Sequence, residues 1–146
     1  MNKYNKIKLE NQLCFPLYAL SRKVIKLYKP VLDKYNLTYT QYITMLVLWE
    51  EEKILFKELG QRLHLDSGTL TPVINKLVSM NLVIKYRNKE DDRVVTIEIT
   101  DKGKVLKDDI LEVPDRVYCN FNGNQEDIIM LKKYLDKVLN QLNNKS

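Results

Sequence analysis

Two cysteines, Cys14 and Cys119, have the most reactive side chains in this sequence of 146 residues. Cys14 lies in the string LCFPLY, two residues before Pro16. Because a proline fits the first turn of a helix and not its interior, the string predicts a helix that begins close to Cys14. The helix dipole and the free N–H groups there favour the thiolate, which attacks a peroxide to give a sulfenic acid. The alternative for each cysteine is a small, unreactive core residue.

The composition is that of one globular domain, with 45% apolar residues and no low-complexity segment. No stretch approaches the roughly 18 consecutive apolar residues of a membrane helix, and the start MNKYNKIKLENQL does not resemble a secretory signal. We therefore expect a cytoplasmic protein with no membrane partner, in a compartment where disulfides are transient and redox-linked. The net charge of +5 fits a nucleic-acid partner, although it also promotes solubility.

Two helices are predicted in the first third of the chain. Apolar residues recur at three- and four-residue steps from Leu13 to Leu32, and Pro30 is expected to bend or divide that helix. A second helix, LTYTQYITMLVLWEEE, has Thr38 or Thr40 as its capping residue. Its apolar residues are dense enough to predict a central core helix.

Two further helices are predicted at the end of the chain. Thr100 caps the first, which Pro114 kinks or ends. The last follows Gly123 and carries a coiled-coil-like apolar stripe of Ile128, Leu131, Leu135, Val138 and Leu142. Such a terminal stripe predicts a homodimer, although it can also pack within one chain.

The segment 53–100 has the order of a helix-turn-helix followed by two strands. Leu55, Leu59 and Leu63 mark a first helix, and a turn at 64–66 precedes a second helix with Pro72 in its early turns. The predicted core residues of the second helix are Ile74, Leu77 and Val78. Its predicted outward, DNA-binding residues are Ser67, Thr69, Thr71, Asn75 and Lys76. Such polar groups suit base edges and phosphates in a major groove, but an ordinary helical hairpin with a polar face has the same pattern.

The two strands predict a β-hairpin wing. Residues 82–87 and 94–99 alternate in polarity and are joined by a charged loop. Arg93 is the candidate that enters a minor groove, with Asp91 holding its guanidinium. The alternative is a solvated turn with a surface ion pair.

The order of these elements, with the strings LDSGTLTPVINKL and KEDDR, resembles the MarR family of winged helix-turn-helix repressors. The resemblance implies a mainly α fold with a small β-wing over residues 1–146. It also implies a homodimer held by segments 1–37 and 101–146, whose two recognition helices bind pseudo-palindromic double-stranded operator DNA.

The stretch LENQLCFPLYALSRKVIKLYKPVLDKYNLTYTQY is similar to the regulators of this family that sense organic hydroperoxides. The similarity implies that Cys14 is the peroxidatic cysteine and that Tyr28 and Tyr39 contact it from the partner subunit. Pro16 departs from the apolar residue expected there, which affects only the predicted helix start. Cys119, in RVYCNF, matches the resolving cysteine of the two-cysteine sensors, and the alternative is an idle cysteine in a one-cysteine sensor.

The similarity therefore implies a repressor that releases its operator when a hydroperoxide oxidises Cys14, with no cofactor. A broader redox-responsive regulator of many genes is the alternative within the family. A thiol peroxidase is disfavoured because Cys14 lies in a helical context without the strand-helix alternation of thioredoxin-like folds. A metal sensor is disfavoured because the single histidine, His64, forms no ligand spacing with the cysteines. A scaffold protein would leave LDSGTLTP and the wing unexplained.

Overall fold

Seven α-helices, three short 3-10 helices and one three-stranded antiparallel sheet make up the regular structure of residues 2–143, the part of the chain that the computed structural model describes. The helices are α1 (Cys14–Leu32), α2 (Tyr39–Glu51), α3 (Phe56–Leu63), α4 (Ser67–Ser79), α5 (Asp101–Asp109), α6 (Val113–Tyr118) and α7 (Gln125–Asn143). The strands are β1 (Lys53–Leu55), β2 (Val83–Arg87) and β3 (Val95–Ile99), in the order β1-β3-β2. This architecture confirms the predicted mainly α fold with a β-wing. The predicted dimerisation segments extend to Met1 and to residues 144–146, which lie outside the described residues.

Helix α1 begins at Cys14, as the proline two residues later predicted. Pro16 occupies the third helical position, where its missing N–H has no partner to lose. The expectation that Pro30 divides the helix is wrong, because α1 continues through Pro30 to Leu32. Pro30 is exposed, so water can replace the hydrogen bond that its ring removes. The helix passes into a short 3-10 turn that ends at Asn36 in the left-handed region, with φ of 61°.

Helix α2 is the central core helix that its apolar density predicted. Thr38 caps it, accepting a hydrogen bond from the Gln41 N–H, while the Gln41 side chain accepts one from the Thr38 N–H. This reciprocal pair satisfies two N–H groups that the first turn leaves free. Met45 and Leu48 are fully buried. Because α2 packs against α1, α3, α4 and α5, it connects both ends of the chain with the helix-turn-helix.

The sheet has a strand that the sequence did not predict. Residues 53–55, expected to open the first helix, form β1 and pair with β3, with Ile54 opposite Ile97. Leu55 therefore belongs to β1, and α3 begins one residue later. Three residues are too few to show a period of two, so only pairing with the distant β3 specifies this strand. The predicted hairpin is confirmed, with Lys85 opposite Ile97.

Helix α4 packs on the core through Leu70, Ile74 and Leu77, which are fully buried. Val78 was predicted to belong to this set, and that prediction is wrong because Val78 is exposed. One residue along a helix is a rotation of about 100°, which takes Val78 off the stripe through Ile74 and Leu77. Pro72 lies in the second turn on the exposed side of the helix.

The helical conformation is interrupted between α5, which ends at Asp109, and α6, which begins at Val113. Thr100 caps α5 by accepting a hydrogen bond from the Gly103 N–H, as predicted. Pro114 is the second residue of α6, and a proline is favoured at the start of a helix. It therefore begins a helix, whereas the sequence predicted that it would kink or end one. Val113 and Val117 are fully buried and anchor this short helix.

Gly103 is a point of close approach between α5 and the sheet. A Cβ there would lie 2.4 Å from the Leu82 carbonyl oxygen and 2.7 Å from Cγ1 of Ile99. The Gly103 carbonyl also accepts a hydrogen bond of 2.8 Å from the Trp49 indole. The absence of a side chain at this position therefore lets α5, α2 and the wing strands pack together.

We expect Gly103→Ala to lower the free energy of unfolding by about 2 kcal/mol, because the added methyl overpacks the core against a backbone carbonyl. The measurement is urea unfolding at a fixed protein concentration. Gly123→Ala is the matched control, since a Cβ there meets nothing within 4 Å. Equal destabilisation of the two variants would contradict the close-approach argument.

Candidate functional site

The turn between α3 and α4 is fixed by backbone geometry. His64 adopts the left-handed conformation, with φ of 55°, and ends α3. The Leu65 N–H donates to the Gly60 carbonyl, and a Cβ on Gly60 would lie 2.9 Å from the Leu65 carbonyl oxygen. The ring of His64 contacts Asn143 at the end of α7, at 3.3 Å from Nδ1 to Nδ2. The last helix thus reaches the helix-turn-helix, a contact that no local sequence pattern predicted.

Helix α4 presents most of the predicted DNA-binding residues to solvent. Ser67, Thr69, Asn75 and Lys76 are exposed. Thr71 is half-buried, and its hydroxyl donates to the Ser67 carbonyl at 2.7 Å, so that proton is not available to a base.

The start of α4 is fixed by its capping residue. Asp66 accepts a hydrogen bond of 2.7 Å from the Thr69 N–H, and this bond holds the pKa of the Asp66 carboxyl below its usual range. Gly68 and Pro72 are also exposed on this helix, at four-residue steps before Lys76, and they were not among the predicted DNA-binding residues. That helical spacing was the signal that could have identified them. They add a small, flat surface on which a backbone or base can approach closely.

The wing tip holds its arginine as predicted. Arg93 donates from Nε to Asp91 Oδ1 at 3.0 Å and from Nη2 to Oδ2 at 3.1 Å. This fork lowers the pKa of the Asp91 carboxyl and fixes an arginine side chain that is 90% exposed. Arg87, which sequence analysis did not single out, donates to the Asp92 carbonyl at 2.6 Å across the loop. Both arginines of the wing thus make hydrogen bonds within the loop that joins β2 and β3.

Cys14 is an exposed free thiol at the first residue of α1. The side chains around it are apolar and also exposed, with Leu13 78% exposed. The exposed apolar neighbours are Leu13, Phe15, Leu17 and Tyr18. A free helix start with such neighbours is a surface that another apolar surface can cover.

Tyr28 and Tyr39 are brought together, but not with Cys14 of the same chain. Their ring centroids are 4.8 Å apart. Burial, followed by the neighbouring phenol of Tyr39, raises the pKa of Tyr28 to about 12, and burial raises the pKa of Tyr39. Fourteen residues of continuous helix separate Cys14 from Tyr28, which is about 21 Å at 1.5 Å per residue.

Cys119 follows the last residue of α6 and is also an exposed free thiol. Its Sγ donates to the Arg116 carbonyl at 3.0 Å, and its N–H donates to the Asp115 carbonyl. The preceding residue, Tyr118, packs with Phe121 at a centroid distance of 6.0 Å. These two rings line a groove between α6 and α7.

Comparisons with known proteins agree with this geometry. The family described as "Transcriptional regulator SarA/Rot" matches residues 26–110. The organic hydroperoxide resistance transcriptional regulator of Bacillus subtilis (strain 168) is 43% identical over 145 residues, which cover 99% of each chain. The chain belongs to the MarR/SarA family of transcriptional regulators. The HTH-type transcriptional regulator SarZ of Staphylococcus epidermidis is 41% identical over 82% of this regulator and 80% of that protein.

The fold is similar to solved structures of AbfR, a Staphylococcus epidermidis protein that is 30% identical to this regulator. The aligned regions cover 94–97% of this chain and 96–99% of the AbfR chains. The TM-score is 0.79 for reduced AbfR bound to DNA, 0.77 for overoxidized AbfR bound to DNA and 0.66 for disulfide-formed AbfR. The regulator thus resembles the DNA-bound forms more than the disulfide form. Because the family and these relatives are DNA-binding transcriptional regulators, we reject the alternative that this chain is a thiol peroxidase.

Residues 2–143 contain no group of three or more His, Cys, Asp or Glu side chains arranged to hold a metal ion. In the same part of the chain, no helix combines the length and the apolarity that a bilayer crossing needs.

We expect Arg93→Ala to weaken operator binding at least about tenfold, because the wing then lacks a fixed cation. A plot of log affinity against log salt concentration has a negative slope, and the magnitude of that slope should decrease by roughly one for each phosphate that the wing no longer neutralises. The measurement is DNA-binding titration at several salt concentrations. Asp91→Ala keeps the cation but not its position, and we expect a smaller effect. Lys133→Ala on α7 removes the same charge away from the wing, and equal weakening there would show that only net charge matters.

Proposed function

We propose that this regulator is a cytoplasmic, homodimeric repressor that releases a pseudo-palindromic operator when an organic hydroperoxide oxidises Cys14. One observation carries the proposal. Cys14 and Tyr28 lie about 21 Å apart along α1, and Tyr39, at the start of α2, packs against Tyr28. The cysteine is exposed and the tyrosines are only half-buried in the single chain. They are two halves of a site that a second copy completes in an antiparallel arrangement.

The exposed apolar residues of α1 and α7 support the homodimer. Helix α7 has no buried residue, and α1 buries only Val31 and Leu32 near its end. The large apolar residues exposed on α7 are Ile129, Met130, Leu131, Tyr134, Leu135, Val138, Leu139 and Leu142. Most of the stability of a helix in a protein comes from packing of its apolar face, so such a stripe needs a partner surface. A second copy, packed through segments 1–37 and 101–146, provides one.

The proposed reaction at Cys14 is a two-electron oxidation. The thiolate sulfur attacks the terminal oxygen of the hydroperoxide, the O–O bond breaks, and the organic fragment leaves as an alcohol after taking a proton. Cys14 becomes a sulfenic acid. Phenol donors from Tyr28 and Tyr39 of the partner subunit stabilise the thiolate before the reaction. The exposed Phe15 and Leu17 favour an apolar organic hydroperoxide over the small, polar hydrogen peroxide.

Cys119 is the proposed resolving cysteine. Its thiol sulfur attacks the sulfenic sulfur of Cys14 from the partner subunit, the S–O bond breaks, and water leaves as the disulfide forms. A groove of about 560 Å³ beside Cys119 supports this pairing, because its apolar lining suits the exposed start of the partner's α1. Its apolar lining residues are Tyr118, Phe121, Ile128 and Ile129.

The AbfR forms support the disulfide as the event that releases DNA. Overoxidized AbfR is found bound to DNA, whereas its disulfide form differs most from this regulator. We therefore expect the disulfide between subunits, and not overoxidation of Cys14, to separate the two recognition helices α4 from the operator.

We expect stoichiometric cumene hydroperoxide to weaken operator binding by the wild-type protein at least about tenfold, which is about 1.4 kcal/mol. Cys14→Ser removes the nucleophile and should bind DNA equally with and without the peroxide. The measurement is a DNA-binding titration of the purified dimer. Wild-type binding that is insensitive to the peroxide would overturn the proposed function.

Cys119→Ser tests the second proposed step, in which Cys119 forms a disulfide with oxidised Cys14. Non-reducing gels should show a crosslinked dimer only for the wild type, reversed by dithiothreitol. Cys119→Ser should form sulfenic acid at Cys14 and then sulfinic and sulfonic acids in excess peroxide. Release from DNA without any crosslink, with a mass gain at Cys14 alone, would show that Cys119 is a bystander.

We expect Tyr28→Phe and Tyr39→Phe each to slow oxidation of Cys14 while leaving DNA binding of the reduced protein largely intact, because each removes a phenol donor to the thiolate. The measurement is the rate of sulfenic acid formation at several pH values. Oxidation rates equal to the wild type in both variants would remove the two tyrosines from the mechanism.

A further inference from the structure

The turn that follows helix α4 is held by the first residues of α5. The Met80 carbonyl accepts a hydrogen bond of 2.9 Å from the Lys102 ammonium. The Asn81 carbonyl accepts one of 2.6 Å from the Thr100 hydroxyl, and the Leu82 carbonyl accepts one of 3.0 Å from the Thr100 N–H. Three successive carbonyl groups are thus bound by two residues from the other end of the wing hairpin. We call these three hydrogen bonds the α4–α5 contact.

The backbone of this turn explains why its carbonyl groups are free to bind α5. Asn81 adopts the left-handed conformation, with φ of 62°, and the Leu82 N–H donates back to the Leu77 carbonyl at 3.1 Å. A left-handed residue commonly ends a helix in this way, and the carbonyls beyond the last turn then need partners outside the helix. Gly103, packed against the Leu82 carbonyl, brings α5 close enough to provide them.

Lys102 is the member of the α4–α5 contact that the structure of α5 itself does not require. Thr100 also caps α5, because its hydroxyl accepts a hydrogen bond from the Gly103 N–H. Lys102 is exposed, and an exposed lysine ordinarily keeps its ammonium in water. Here the ammonium lies at the C-terminal end of α4, where the helix dipole favours a positive charge. The bond therefore stabilises the position of α4 and is not part of the α5 cap.

The two elements predicted to bind DNA both begin at the α4–α5 contact. Helix α4 ends at Ser79, and β2 begins at Val83, directly after the turn. Strand β3 ends at Ile99, which pairs with Val83 directly before Thr100. The contact thus closes the base of the wing and joins it to the end of α4. A site that is read by a helix in the major groove and by a wing in the minor groove requires both elements to be aligned at once.

We propose that Lys102 is a positioning residue for operator recognition, which holds α4 in the alignment with the wing that a specific site requires. The inference rests on operator binding, which is part of the proposed function, and not on the oxidation of Cys14. Phosphate attraction dominates the binding of unrelated DNA and needs no such alignment. Contacts to base edges do need it, because they depend on hydrogen-bond distances. Loss of the Lys102 bond therefore lowers the preference for the operator over unrelated DNA.

The test uses the reduced full-length protein and two duplexes of equal length. One carries the site that the wild-type protein selects from a randomised pool, and the other has an unrelated sequence. Lys102→Met keeps the length of the side chain and removes the ammonium. We expect its affinity for the selected site to fall about fivefold and its affinity for the unrelated duplex to change less than about twofold. Circular dichroism at the assay temperature checks that the variant is folded, and in a folded protein a residue that only adds stability would leave the ratio of the two affinities unchanged.

Two further variants separate the position of the charge from its presence. Lys102→Arg keeps a charged donor and should restore the preference for the selected site. Lys107→Met removes one positive charge from an exposed residue further along α5 and should leave the ratio of affinities unchanged. A wild-type ratio in Lys102→Met, or an equal loss in Lys107→Met, would overturn this inference and leave the sensing function standing. A wild-type protein that selects no site from the pool would overturn operator recognition itself.

Discussion

The rigidity of α1 is the constraint on which the sensing arrangement depends. Cys14 begins this helix and Tyr28 lies near its end, so about 21 Å of hydrogen-bonded backbone keeps them apart within one chain. A flexible segment of the same length would let the cysteine fold back onto its own tyrosines. A helix excludes the contact between Cys14 and Tyr28 of the same chain, so the proposed site takes its cysteine from another copy. In the proposed dimer, the chemistry is therefore inseparable from the assembly.

The same rigidity offers the proposed reaction at Cys14 a route to the DNA. Helix α2 carries Tyr39 and Tyr42 at one end and packs against α3 and α4, which form the helix-turn-helix. Gly103 lets α5 pack closely on the wing strands, and its carbonyl binds Trp49 of α2. A well-packed core transmits displacements because it has few voids to absorb them. A change at the tyrosines thus has a continuous route to the recognition helix α4.

The energetic requirement of the switch is modest compared with covalent chemistry. Moving a two-state equilibrium from 1:99 to 99:1 takes about 5.5 kcal/mol of differential stabilisation. Loss of hydrogen bonds to a thiolate supplies part of this, since bonds to charged groups are stronger than neutral ones. In the proposed mechanism, a disulfide between subunits supplies the rest by fixing their relative position.

Local patterns in the sequence determined the starts of α1, α2 and α5, the hairpin and the Asp91–Arg93 pair, because caps, prolines and charged turns act over a few residues. Similarity to a family assigned the roles of Cys14, Tyr28 and Tyr39. Only the tertiary structure decided that residues 53–55 form a strand, that Val78 is exposed, and that α6 packs against α1. Each of these depends on a segment distant in sequence: β3 pairs with β1, the packing of α4 selects its buried stripe, and α6 returns to α1. Contacts between distant segments leave no local period, so folding alone specifies them.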